Sequence, residues 1–176
     1  LNKERIRIEE LLQNNGYYKF SKELIYIEAD TTKVDMVNIN IVMKEAKNEK
    51  EYTQFSIDQI FIHVNNGGIN KDTIIHDGYK FIKSTNSVFD LQLNTISDLI
   101  KIKANNKYSK KDAELTYRNL SNLVFFKKIE IDFIEQNDNN KINCHIYLTS
   151  PTKMYYSLEG EIKRSSDEGN IGISSH

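Results

Sequence analysis

One passage of this chain occurs twice. A shift of 108 positions lays Leu12 on Leu120, Asn14 on Asn122, and Tyr17-Tyr18-Lys19 on Phe125-Phe126-Lys127. Each copy runs from a helical pattern into an aromatic pair, and from there into strand, polar turn and strand. A helix with a hairpin buries its apolar face only against further elements, so its repetition implies a modular array. The first copy lacks the elements that stand in front of the second, and the chain is therefore expected to begin inside a domain.

The local patterns fill in both copies. Residues 3–15 read as a helix, with Ile8, Leu11, Leu12 and Asn15 on one face and charged side chains on the other. Gly16 follows where a left-handed helix ending is wanted. Leu24-Ile25-Tyr26-Ile27 leads to a polar turn at Asp30-Thr31-Thr32-Lys33, then to a strand with Val37, Ile39, Ile41 and Met43 on one side. The charged stretch Lys44 to Lys50 is a junction. Beyond it Phe55 and Ile57 alternate in one phase, and Ile60, Ile62 and Val64 in the other, so a bulge is expected near Asp58-Gln59. Asn65-Asn66-Gly67-Gly68 ends that strand. Asp77-Gly78, between Ile74-Ile75 and Tyr79-Lys80-Phe81-Ile82, predicts a tight hairpin, because both residues tolerate positive φ.

From Asp90 the period changes to that of a helix, on Leu93, Ile96 and Ile100. Ser109-Lys110-Lys111-Asp112 has capping-box spacing before a helix whose apolar face is Ala113, Tyr117, Leu120 and Val124. Phe125 to Glu135 alternates as a strand, Gln136 to Asn140 turns, and Ile142, Cys144, Ile146 and Leu148 mark the returning strand. The pattern as a whole predicts an α+β fold of small mixed sheets, each with helices packed on one face.

Charge and cysteine usage exclude several functions. Of 24 basic and 25 acidic side chains, residues 1–50 hold nine of each and 51–150 hold twelve of each. A nucleic-acid binder shows a domain-wide basic bias, and none is present. One local excess stands out: Lys101, Lys103, Lys107, Lys110, Lys111, Arg118, Lys127 and Lys128, against Asp112 and Glu114. It reads either as a solvated helix with its flanks, or as a patch for acidic lipid headgroups or an acidic partner. The single Cys144 excludes an internal disulfide framework and a CxxC-type zinc site. No apolar run approaches the roughly 18 residues of a membrane-spanning helix, and no signal segment opens the chain.

A search for chemistry finds little. Cys144 and His145 point to opposite faces of a strand, so they hold no common metal. Cys144 shares its face with Ile142 and Ile146 and reads as a small core residue rather than a nucleophile. His63, His76, His145 and His176 form no triad pattern. Gly67-Gly68 is followed by neither helix nor Lys-Ser/Thr, so it is no phosphate loop. No cofactor, metal or catalytic residue is expected.

Three stretches carry a family resemblance. Phe55-Ser56-Ile57-Asp58-Gln59-Ile60-Phe61-Ile62 resembles the opening strand of POTRA domains, the polypeptide-transport-associated repeats of BamA- and TamA-like outer-membrane assembly factors. Ile102-Lys103-Ala104-Asn105-Asn106-Lys107-Tyr108-Ser109 resembles the segment between that family's two helices, although Ala104-Asn105 stands where Pro-Gly is usual. Tyr117, Leu120, Leu123 and Phe125 to Ile129 resemble its passage from helix to final hairpin. The earlier Leu12 to Tyr18 is similar to the same passage of a preceding repeat. The Asp77-Gly78 hairpin is an insertion, which looks like the TamL-type variants. Tyr155 to Glu161, running into Asp167 to Ile173, is similar to the family's entry into a β-barrel, and Tyr156, Leu158, Gly160 and Ile162 suit a barrel strand.

The resemblance implies a division into three: residues 1–49 as the C-terminal half of a POTRA-like repeat, 50–151 as a complete repeat with an inserted hairpin, and 152–176 as linker and first barrel strands. It implies a non-catalytic module at the periplasmic face of a bacterial outer membrane, attached through the barrel. Its partners would be unfolded outer-membrane clients or assembly subunits, taken up by strand addition at a sheet edge. Two edges are candidates: one carrying Phe125, Lys127, Ile129, Ile131 and Phe133, the other Phe55, Ile57, Ile60 and Ile62. A structural or adhesive cell-surface or secretion-ring domain with the same element order is the alternative.

Overall fold

The computed structural model of the chain describes residues 1–33, 36–65, 71–84, 93–123, 125–136, 140–149, 161–164 and 171–174. Asn66, Gly67 and Gly68, Asp90, Val124, the turn residues 137–139 and the stretch 151–160 lie outside them. Helix α1 (Asn2–Gln13) ends as its sequence predicts. Gly16 has φ +99°, and the Tyr17 N–H donates to the Leu12 carbonyl at 3.1 Å, the six-to-one bond of a Schellman ending.

A hairpin follows, built from β1 (Ile25–Lys33) and β2 (Met36–Met43). The expected turn at Asp30 to Lys33 is instead part of β1, with a shift of register between Asp30 and Lys33. The Asp30 carboxylate accepts from the Thr32 N–H at 3.0 Å, so this local bond disturbs the ladder without ending the strand.

The main sheet has five strands in the order β4-β5-β3-β7-β6. They are β3 (Ser56–Asn65), β4 (Lys71–His76), β5 (Tyr79–Ser84), β6 (Lys128–Glu135) and β7 (Lys141–Thr149). Strand β3 runs parallel to both neighbours, while β4 with β5 and β6 with β7 are antiparallel hairpins. Parallel strands need a crossover, and α2 (Leu93–Leu99) and α3 (Lys110–Ser121) lie on the one joining β3 to β7. The phase change in β3 is met by a register shift between Ile57 and Ile60, so both face the core although three positions apart. Asp77 and Gly78 have φ of 50° and 79°, the pair of positive values that a type I′ turn demands.

The helices cover one face of this sheet. Ile62, Phe81, Leu120, Ile142, Cys144, Ile146 and Leu148 are wholly inaccessible there, joined by Ile96, Ile100 and Tyr79. Each buried large aliphatic side chain contributes roughly 1.5–3 kcal/mol. Ser109 caps α3, its Oγ accepting from the Asp112 N–H at 3.2 Å. Thr116 takes an inward position on α3, donating to the Asp112 carbonyl at 2.7 Å and accepting from the Lys101 N–H at 2.9 Å. Tyr117, expected on the apolar face, is instead half exposed.

The N-terminal unit is seated against this domain. The Gly16 carbonyl accepts from the Phe55 N–H at 2.8 Å, and Asn14 Oδ1 accepts from the Lys111 N–H at 2.8 Å. Tyr18 stands edge-on to Phe55 and Tyr108 and tilted against Phe133. Strands β8 (Glu161–Arg164) and β9 (Ile171–Ser174) form a separate antiparallel pair.

Candidate functional site

Strand β6 is an outer strand of the sheet. Among the described residues it pairs with β7 alone, from Lys128 opposite Thr149 to Glu135 opposite Ile142. Its sequence alternates two rows. Ile129, Ile131 and Phe133 face the helices, half-buried and packed against the core. Lys128, Glu130, Asp132 and Ile134 are exposed on the opposite face. Every second residue of an outer strand turns its backbone N–H and C=O away from the sheet, the arrangement that accepts a further strand.

The charges of β6 are mostly engaged. Lys128 Nζ lies 2.5 Å from Glu130. Glu135, the last residue of the strand, is paired with Lys19 of the N-terminal unit and with Lys50, which precedes β3, Lys50 at 3.0 Å. The Lys19 ammonium holds the Glu135 carboxyl below the usual carboxylate range; burial opposes this and Lys50 adds to it. The far end of the edge is therefore tied to the N-terminal unit.

The other candidate edge is corrected by the topology. Phe55 precedes β3, and Ile57, Ile60 and Ile62 lie in the central strand, with β5 on one side and β7 on the other. The β4–β5 hairpin occupies the side of β3 that faces away from β7, so that boundary of the sheet is β4. Phe125 and Lys127 also fall outside β6, which begins at Lys128; the Lys127 N–H nonetheless donates to the Thr149 carbonyl at 2.8 Å.

The basic residues of the candidate patch are distributed from the end of α2, along α3, to the start of β6. Lys103 donates to the Tyr79 hydroxyl at 2.7 Å and stands over its ring, a bond that raises the Lys103 pKa. Lys101 Nζ donates to the Asp98 carbonyl. Lys107, Lys110 and Lys111 precede or open α3, whereas Arg118 lies in its last turn and Lys127 and Lys128 follow it. Along the helix, seven residues, a rise of about 10 Å, separate Lys111 from Arg118.

One constellation escaped the sequence reading. On the open face of the sheet His63 Nε2 lies 2.9 Å from His145 Nδ1, with Phe61 stacked on His145 and Tyr147 on His63. Lys80 Nζ stands 5.2 Å above the Phe61 ring. The available signal was phase: Phe61 and His63, like His145 and Tyr147, occupy the non-core positions of two alternating strands. Among the described residues no three His, Cys, Asp or Glu side chains are grouped to hold a metal ion. Burial pushes the Cys144 thiol up to about 12, so it stays protonated and unreactive near neutral pH.

The sequence matches no protein-family model and no curated protein. Its fold does have counterparts among solved structures. The BamA of Haemophilus ducreyi lacking POTRA domains 1–3 superimposes with a TM-score of 0.53 at 12% identity, over 90% of this chain and 23% of that one. The fold is that of POTRA domains. The N-terminal domain of Omp85 from the thermophilic cyanobacterium Thermosynechococcus elongatus aligns over 84% of this chain and 51% of that one, with 11% identity and a TM-score of 0.45. The chain thus spans about a quarter of the BamA and about half of the Omp85 domain. Within this POTRA fold the two outer strands of the five-stranded sheet are β4 and β6.

Proposed function

We propose that this chain is a non-catalytic module at the periplasmic face of a bacterial outer membrane. It belongs to an assembly or translocation factor and holds extended polypeptides, or partner subunits, by strand addition to β6. The observation that carries this reading is the one-sided pairing of β6 among the described residues of a POTRA fold. Main-chain hydrogen bonds supply affinity with little dependence on client sequence. Alternating charges at Lys128, Glu130 and Asp132 oppose edge-to-edge pairing between copies while leaving the backbone accessible.

The domain division belongs to the same proposal. Residues 50–151 form a complete repeat with β4 and β5 inserted, a TamL-type feature, and 152–176 lead into a β-barrel. Residues 1–49 are the back half of a preceding repeat. The β2 stripe supports this: Val37, Ile39, Ile41 and Met43 match the wholly buried stripe of β7 in pattern, yet are 47% to 59% exposed. Such a face is completed by further elements packed over it, as the helices cover the stripe of β7.

An unfolded outer-membrane peptide titrated into isotope-labelled protein tests strand addition. Amide shifts and slowed exchange along Lys128 to Glu135 are the expected result. Changes confined to the helices, or to β4, would overturn the assignment of the edge.

A further inference from the structure

A strand added to β6 would lie beside two unlike rows of side chains. Because strand residues alternate between faces, every second residue of the incoming segment would flank Ile129, Ile131 and Phe133, and the others would flank Lys128, Glu130, Asp132 and Ile134. The first row is apolar, half-buried and continuous with the core. Apolar side chains placed beside it extend that core outward and remove its remaining surface from water.

The charges on the second row are not equivalent. Lys128 and Glu130 neutralise one another, and Glu135 is held by Lys19 and Lys50. Asp132 forms no ion pair among the described residues. Its cross-strand neighbour is His145, whose Nδ1 faces His63. Ile134, the next residue on that row, is 49% exposed. The open row therefore presents a neutralised pair, then one uncompensated carboxylate, then an apolar side chain.

We infer that β6 selects among extended segments: it takes those with apolar residues at every second position and Lys or Arg beside Asp132, and disfavours those with an acidic residue there. This rests on strand addition at β6. It adds that the edge reads charge at one position, where main-chain bonding alone would be indifferent. Opposite charges in lateral contact across a sheet favour pairing and like charges oppose it. The exposed setting limits the size of the effect and makes it sensitive to salt.

The test uses three synthetic ten-residue peptides, alternating Val with Thr and carrying Lys, Gln or Glu at one central polar position, each titrated into labelled full chain. The Lys peptide is expected to perturb β6 amides with an affinity roughly threefold to tenfold above that of the Glu peptide, the gap narrowing at high salt. Asp132→Lys should reverse the order, and Asp132→Asn, which is nearly isosteric, should abolish the preference. Equal affinities of all three peptides at β6, or an order unchanged by both substitutions, would overturn the charge reading and leave strand addition intact. If no peptide perturbs β6, strand addition itself fails, and the selectivity with it.

Discussion

Gly16 performs two tasks that a side chain would obstruct. It closes α1 at φ +99°, and a Cβ placed on it would meet the Phe55 carbonyl at 3.2 Å. Gly16→Ala should therefore destabilise the chain by about 2 kcal/mol, combining left-handed strain with a crowded backbone contact, and the urea midpoint is the readout. The helix ending was legible because Gly directly follows an amphipathic run; the approach of Phe55, 39 positions later, was not, since no local pattern encodes it. His145 gives a second prediction at this scale. Burial holds its pKa below the ordinary imidazole value, and Asp132 across the ladder opposes that shift. Its other facing groups are His63, Phe61 and Tyr147. The unfolded chain takes up this proton near pH 6.5, the folded chain only at lower pH. Below that point the unfolded state binds more protons, so His145 lowers stability as pH falls from about 6.5 toward its folded value. His145→Gln should flatten the pH dependence of the urea midpoint between pH 7.5 and 5.5; an unchanged slope would refute the assignment.

At the scale of elements, the alternation of apolar residues located β3, β6 and β7, the Asp77-Gly78 turn located the β4–β5 hairpin, and the phase break at Asp58-Gln59 located the bulge in β3. Alternation does not say what lies beside a strand. That is why Phe55 to Ile62 was nearly as strong a candidate edge as Phe125 to Phe133. A usable distinction was present in their charges. Strand β3 carries Asp58 as its one carboxylate or ammonium group, whereas β6 sets charge at Lys128, Glu130, Asp132 and Glu135, and it is outer strands that are blunted in this way. Strand β2 offers the opposite combination. It is an outer strand of its hairpin, yet Met36 to Met43 contains no charged side chain. Nothing in its own sequence opposes pairing, as suits a strand meant to be covered. Ile39→Thr with Ile41→Thr should therefore leave the unfolding free energy within about 1 kcal/mol of the parent, because both side chains are already about half exposed. The same pair should reduce self-association in sedimentation experiments at high concentration. A large loss of stability would mean that the stripe is packed within the single chain.

For the molecule as a whole, the repeat of helix, aromatic pair and hairpin was the informative feature, and the contacts it makes explain why. The first copy delivers Tyr18 into the aromatic group of the second domain with Phe55, Tyr108 and Phe133, and Lys19 onto Glu135. The repeated residues thus include those that join one unit to the next, a role that sequence similarity alone could not assign. The parallel pairing of β3 with β7 bears on how the domain assembles. His63 and His145, neighbours in the finished sheet, are 82 positions apart in the chain. The hairpins β4–β5 and β6–β7 close over short loops and can form within microseconds, but the central strand must wait for the last one to arrive, after the loop-closure entropy of the whole crossover has been met. A chain emerging from a ribosome or a translocation pore therefore keeps one edge of β3 unpaired until its partner β7 has followed. The strand at the centre of the sheet thus has its second side closed by the strand that leaves last.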